Sequence, residues 1–248
     1  MDSAIVAALK EYREKPEFKN GGGYQVLRHY LKRDYGYIVN PKKIYRLMKE
    51  NGLLLARRKK FRRDDKKISS NRKINGPGEL WQFDIKYGFV HGENKFFYLG
   101  AFIDVFTKEV VGYHVGTSCK GIHLALAFDE AVRLHRPDLS KLTIRSDNGP
   151  QMSSNKFKTW INKRVVHEFI PAGEPNKNAY IEAFFSIYEI EFLQVRYFEN
   201  FSSAYKQTVE FISHYNSKRL HGSINFLPPI EFKQRHLAGK FSQNIIQA

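Results

Sequence analysis

Three consecutive runs of aromatic and β-branched residues, starting at Leu80, constrain the fold of this 248-residue chain more than any other feature. LWQFDIKYGFV, KFFYLGAFIDV and KEVVGYHVG are bounded by turns rich in Gly, Asn or Lys, the pattern of a three-stranded antiparallel meander. The period then changes. IHLALAFDEAVRLH reads as an amphipathic helix closed by Pro137, KLTIRSD as a fourth strand, SSNKFKTWINKR as a helix, VVHEFI as a short fifth strand, and residues 177–195 as a further helix. The order β-β-β-α-β-α-β-α predicts an α/β domain with a mixed five-stranded sheet flanked by helices. On pattern alone, that is one architecture among several.

The first 80 residues have a different character. They hold 21 of the 41 Lys and Arg side chains and 9 of the 25 Asp and Glu, so most of the formal net charge of +16 lies there. Such an imbalance suits a polyanionic partner, nucleic acid being the commonest. Residues 3–14 and 22–34 have apolar side chains at helical spacing. A third helix is punctuated clearly: Asn40 as cap, Pro41 at the first helical position, and Asn51 with Gly52 at the end. Ile44, Leu47 and Met48 form its apolar face, with Lys42, Lys43, Arg46 and Lys49 around it. Two short helices joined by GYIVNP resemble a helix-turn-helix, whose second helix lies in a groove or along phosphates. A helical hairpin that only packs on a larger domain has the same pattern. RRKKFRRDDKK, residues 57–67, follows, with Arg57, Arg58, Lys59, Lys60, Arg62 and Arg63 as further candidate DNA contacts. The expected organisation is a helical DNA-contacting region over 1–56, a basic linker over 57–78, a core with a C-terminal helix over 79–236 and a tail over 237–248.

Several functional classes are excluded. No apolar run approaches the ~18–20 residues of a membrane span. The N-terminus has acids early and no basic start, unlike a signal peptide. Cys119, the single cysteine, allows neither an internal disulfide nor a cysteine-based zinc site. The nine histidines show no metal-ligand pair on one helical face. A protein of a reducing compartment, the cytoplasm, is expected.

The acids set among apolar residues are the candidates for chemistry. Asp84 lies mid-strand, sharing one face with Gln82 and Lys86, while Trp81, Phe83, Ile85 and Tyr87 share the other. It is either a solvent-facing acid beside Lys86 or a ligand. Asp147 closes KLTIRSD before Asn148 and Gly149, a position typical of ligands and equally of turns. Glu182 sits on a helix between Ile181 and Phe184, where most glutamates are simply solvated. Asp104, ending the second strand, competes with the first two. Carboxylates from separate elements are what hard divalent cations need, and two such cations ~3.5–4 Å apart can activate a hydroxyl and stabilise a leaving oxygen in phosphodiester chemistry.

WQFDIKY, FYLGAFIDVFTKEVVGYHV, RSDNGPQMSS, NAYIEAFF and YNSKRLHGSINFLPPIEF, in that order, closely resemble the transposases of the insertion-sequence-three family, bacterial relatives of retroviral integrases. The upstream YRLMKENGLLLARRKK is similar to the helical DNA-contacting region that precedes their core, and the resemblance spans roughly residues 20–233. It implies a ribonuclease H-like core in which Asp84, Asp147 and Glu182 are the catalytic DDE triad and hold two Mg²⁺ or Mn²⁺ ions. Asp104 falls on a recurrent, non-catalytic aspartate. The implied activity is metal-dependent DNA cleavage and strand transfer; the alternative is a catalytically impaired relative that only binds DNA. The implied partners are double-stranded DNA, both element ends and target, further copies of the chain on that DNA, and a first-frame product or fusion supplying end recognition. A cytoplasmic, nucleoid-associated bacterial protein follows. Asn178 falls on a motif position near the DNA; Arg219 and His221, with Tyr215 and Asn216, match the family's closing motif, which places them near the DNA or the metal site, or has Tyr215 and His221 packing the last helix onto the core. Three departures stand out. Thirty-four residues separate Asp147 from Glu182, one fewer than is usual. Lys177 replaces an aspartate before Asn178, and Glu189 stands where the family has Lys or Arg. Two helical turns put Glu189 on the Glu182 face, where an acid repels phosphate unless a cation intervenes.

Overall fold

The computed structural model describes residues 2–55, 72–147, 155–170, 175–241 and 246–247. The meander is present as β2 (Leu80–Val90), β3 (Lys95–Asp104) and β4 (Val110–Gly116), preceded by the two-residue β1 (Lys73–Ile74). Next come α5 (Gly121–His135), β5 (Thr143–Ser146), α6 (Asn155–Asn162), β6 (Val166–Phe169), a 3-10 turn (Pro175–Asn178) and α7 (Ala179–Glu191). The chain finishes with α8 (Phe201–Ser217), α9 (Pro229–Leu237) and β7 (Ile246–Gln247), which pairs with β1. The main sheet has five strands in the order β4-β3-β2-β5-β6. Pairs β2–β3 and β3–β4 are antiparallel, while β2–β5 and β5–β6 are parallel. This is the mixed sheet the pattern predicts.

Both faces of the sheet are covered. Trp81, Phe83, Phe102, Val111 and Ile144 pack beneath Leu124, Ala127, Phe128 and Ala131 of α5 and Phe157 and Ile161 of α6. On the opposite face Leu99, Ala101, Ile103 and Val110 meet Ile181, Phe184 and Tyr188 of α7 and Phe211, Ile212 and Tyr215 of α8. Each such large apolar side chain contributes ~1.5–3 kcal/mol on burial, so two helical layers hold the sheet far more firmly than one. The approach of α5 is close enough to require Gly112: a Cβ there would lie 2.7 Å from that of Ala131. Asp104, the competing acid, is a buried turn organiser. Its Oδ1 accepts from the Phe106 and Thr107 amides at 3.0 and 2.8 Å, its Oδ2 from the Gly78 amide and the Trp81 indole at 2.7 and 3.1 Å.

The N-terminal helices are α1 (Asp2–Glu14), α2 (Pro16–Lys19), α3 (Tyr24–Tyr35) and α4 (Pro41–Glu50). The α4 punctuation is as expected, with Asn40 Oδ1 accepting from the Lys42 amide at 2.8 Å and Ile44, Leu47 and Met48 buried. These helices share one core, and Leu220, after α8, is buried in it. The Tyr30 hydroxyl donates to the Lys218 carbonyl at 2.8 Å and accepts from the Leu220 amide at 3.0 Å. His29 stacks on Phe226 with centroids 3.8 Å apart, and Arg33 pairs with Glu231 at 2.7 Å. The helical region is therefore keyed into the end of the core.

Candidate active site

The parallel pairing of β2 with β5 brings two of the candidate acids together. The last paired residues are Phe83 and Ser146, so Asp84 and Asp147 follow side by side on neighbouring strands. Strands lie ~4.8 Å apart. By the two-residue alternation Asp84 faces α7, not α5: it shares its face with Ala101, its partner across β3, in the cluster that α7 covers. The Asp84 face is thus not the open solvent side that a simple alternation suggests, and Asp84 is half-buried.

Glu182 comes from the first turn of α7. That turn is pinned to β2 by Gln82, two residues before Asp84 and 1% exposed. The Gln82 carboxamide accepts from the Tyr180 and Ile181 amides at 3.0 and 3.1 Å and donates to the Lys177 carbonyl at 2.8 Å. First-turn amides have no partner within their own helix, so a side chain from the strand serves them. Asn178 adds a bond from its Nδ2 to the Phe83 carbonyl at 3.3 Å. Strand and helix are stapled together where each carries an acid.

The acids sense one another. Burial, and then the charges of Asp147 and Glu182, push the Asp84 carboxyl up from its usual 3.8 to about 6, against an opposing bond from the Ile85 amide and the charge of Lys86. Among the described residues no three His, Cys, Asp or Glu side chains are grouped so that they could hold a metal ion as they stand. The Asp84 carboxylate accepts from the Ile85 amide at 2.7 Å. All-oxygen donors with surplus negative charge match hard divalent cations.

The departures find local explanations. The Glu189 carboxylate lies 2.9 Å from the Lys86 ammonium, so a cation does intervene, contributed by β2. At position 177 it is the backbone carbonyl that is used, accepting from Gln82 and from Arg145 at 3.3 Å, which tolerates a changed side chain. The shortened stretch between Asp147 and Glu182 runs through 148–154 and 171–174, which lie outside the described residues. Gln82 and Lys86 are the two residues that sequence reasoning passed over. Their signal was present: two polar side chains flanking an acid on one face of an otherwise apolar strand.

The candidate DNA contacts divide. Lys42 is exposed; Lys43 pairs with Asp2 at 2.6 Å, and Arg46 lies 3.6 Å from Asp2 and 3.8 Å from Glu50. Arg57, Arg58, Lys59, Lys60, Arg62 and Arg63 lie outside the described residues. Asn178, Arg219 and His221 are placed otherwise than as DNA contacts. Asn178 is buried beneath α7. Arg219 forks onto both Glu191 oxygens at 2.8 Å and touches His221 Nδ1 at 3.3 Å, so all its nitrogens are engaged within the protein. His221 is buried, packed edge-on against Tyr215, and burial beside Arg219 and Lys108 holds its imidazole well below its usual value and neutral. These three brace α7 and α8. Gly21 of the helical region rests against the same ion pair, where a Cβ would fall 2.1 Å from Glu191 Oε1.

Comparison with known proteins agrees with this architecture. Two models, each described as an integrase core domain, match residues 74–175 and 163–229, and an HTH-like domain model matches residues 5–61. A 31.7 kDa protein of insertion element IS407 from Burkholderia multivorans is 32% identical over 219 residues, covering 87% of this chain and 76% of that protein. The transposase for insertion sequence element IS904 of Lactococcus lactis is 24% identical, covering 80% of this chain and 82% of its own length. Among solved structures, a chain of the simian T-cell lymphotropic virus intasome superposes with a TM-score of 0.52 at 15% identity, over 79% of this chain and 67% of that one. The last likeness shows the fold, ribonuclease H-like and shared with integrases.

Proposed function

The chain belongs to the insertion-sequence-three family of transposases, and from that membership and the geometry above we propose that Asp84, Asp147 and Glu182 are the carboxylates with which it cuts and joins DNA. The observation that carries this reading is convergence. Three acids, on β2, just after β5 and in the first turn of α7, lie near enough that the charges of Asp147 and Glu182 add to burial in raising the Asp84 carboxyl.

We assign to these residues the binding of divalent cations, Mg²⁺ or Mn²⁺, as two ions. When bound, such ions lower the pKa of an attacking hydroxyl and stabilise the departing oxygen of a phosphodiester. The chain's own residues do the rest. Asp84 and Asp147 present adjacent carboxylates from strands whose spacing is fixed by the ladder. Glu182 closes from the third side because Gln82 and Asn178 fix the start of α7. The partner is double-stranded DNA, held in part by the basic N-terminal region, where α4 offers Lys42 and Arg46 from a helix-turn-helix-like pair. Further copies of the chain on DNA and a first-frame product or fusion complete the proposed assembly.

The alternative, an impaired relative that only binds DNA, rested on Glu189 and Lys177. The ion pair with Lys86 and the use of the residue 177 carbonyl weaken both grounds. The test is Asp147→Asn, assayed with Mg²⁺ on DNA carrying the element's terminal repeats and with the first-frame product present. Nicking and joining should be lost while the DNA complex persists; normal joining by this variant would remove Asp147 from the site.

A further inference from the structure

The Lys86–Glu189 pair stands next to the carboxylates without belonging to them. Lys86 lies two residues beyond Asp84 on β2, so the alternation puts it on the same face, ~7 Å further along the strand. Its partner across β3 is Leu99, buried on the α7 side, which fixes that orientation. Its ammonium is 2.9 Å from Glu189 Oε2, and the two side chains are 33% and 34% exposed. Among the described residues Glu189 receives one other polar contact, a 3.4 Å bond from Gln194 Nε2, which adds no charge.

Resting on the reading that DNA is cut at the carboxylate face, we propose that Lys86 contacts a DNA phosphate and that Glu189 is its internal counterion, occupying the ammonium until phosphate displaces it. Three physical arguments support the exchange. A pair this exposed adds little to stability, so the fold does not depend on keeping it. A lysine is a flexible point charge that can leave one anion for another without a rigid geometry to break. A cation beside the acids also suits an approaching phosphate backbone, and Lys86 is near enough to Asp84 to lower its carboxyl while it pairs with Glu189. Glu189 then plays toward Lys86 the part that condensed salt ions play toward DNA, and both are released on binding. Until that release, the charges of Lys86 and Glu189 offset each other.

The test is binding of a labelled duplex carrying a terminal repeat to the full chain, measured by fluorescence anisotropy in chelator over a range of salt. Lys86→Gln should weaken binding and reduce the slope of log affinity against log salt by about 0.9, one phosphate contact. Glu189→Gln should tighten binding about two- to fivefold, the worth of one exposed ion pair removed as a competitor. The exchanged pair, Lys86→Glu with Glu189→Lys, should bind better than Lys86→Glu alone. A pair that merely braces β2 against α7 predicts the opposite for Glu189: both single variants weaken binding alike. That result, or an unchanged salt slope in Lys86→Gln, overturns the proposal. Asp147→Asn separates the two readings, since in chelator it should bind with the wild-type slope, and with Mg²⁺ restored, where the wild type joins, it should fail to join. If it joins, the carboxylate assignment falls while the Lys86 slope remains an independent result.

Discussion

Replacing Gln82 should loosen the active-site helix from the sheet, and the size of the effect can be worked from its contacts. The side chain makes three bonds while 1% exposed. Two serve first-turn amides of α7, and losing a helix N-terminal acceptor costs ~1 kcal/mol, within 0.5–2. The third serves the Lys177 carbonyl, which keeps a longer bond from Arg145 and so loses less. Leaving buried donors unserved adds ~1–3 kcal/mol. Gln82→Met keeps the volume and removes the bonds, and should cost about 2–4 kcal/mol by these figures. Urea unfolding with the slope checked for constancy measures it. Calorimetric titration of divalent ions supplies the second readout: because Glu182 occupies the same first turn, metal affinity should fall in protein that is still fully folded. A loss under about 1 kcal/mol, the ordinary worth of one hydrogen bond, with unchanged ion affinity refutes the stapling argument.

Asp84 predicts a pH dependence of defined sign. Its carboxyl is raised to about 6 in the fold, so its contribution to stability is full below the usual 3.8 and is lost as pH rises through 6. In chelator, Asp84→Asn should therefore gain on the wild type as pH rises from ~4 to ~7 and exceed it at pH 8; a stability difference that stays constant with pH refutes this. Arg219→Met should cost about 3–5 kcal/mol because Glu191, 6% exposed, is left charged and buried. Adding Glu191→Leu should recover most of that loss in thermal or chemical unfolding, and no recovery would refute the pairing as its cause.

What the sequence revealed and what it withheld follow from the range of the forces involved. The α4 boundaries were legible because a cap bond spans two residues, Asn40 to Lys42. The order of elements along the chain was legible because strand and helix periods alternate in recognisable blocks, while the pattern alone left the architecture one among several. The polar face of β2 misled, since a two-residue period says which side chains share a face and not whether that face is wet. Here α7 and α8, some hundred residues later, cover it. The worry over Glu189 had the same root: its counter-charge comes from residue 86, on a strand the helix meets only in three dimensions. The closing motif left Arg219 and His221 open between DNA and packing, because the acid that claims Arg219 stands 28 residues upstream. Local spacing also gave no sign of the two-residue β1–β7 pairing.

The joint between the helical region and the core has a metric consequence. Tyr30 is bonded on both sides to the segment after α8, Leu220 fills the helical core, and His29 lies flat on Phe226. With α4 on DNA as proposed, the grip and the carboxylates belong to one rigid frame, like the jaws of a calliper. The interval between the base pairs gripped and the phosphodiester cut is then set by that frame, whatever the length or sequence of the basic stretch between them. It is counted in base pairs and in rotational phase around the duplex.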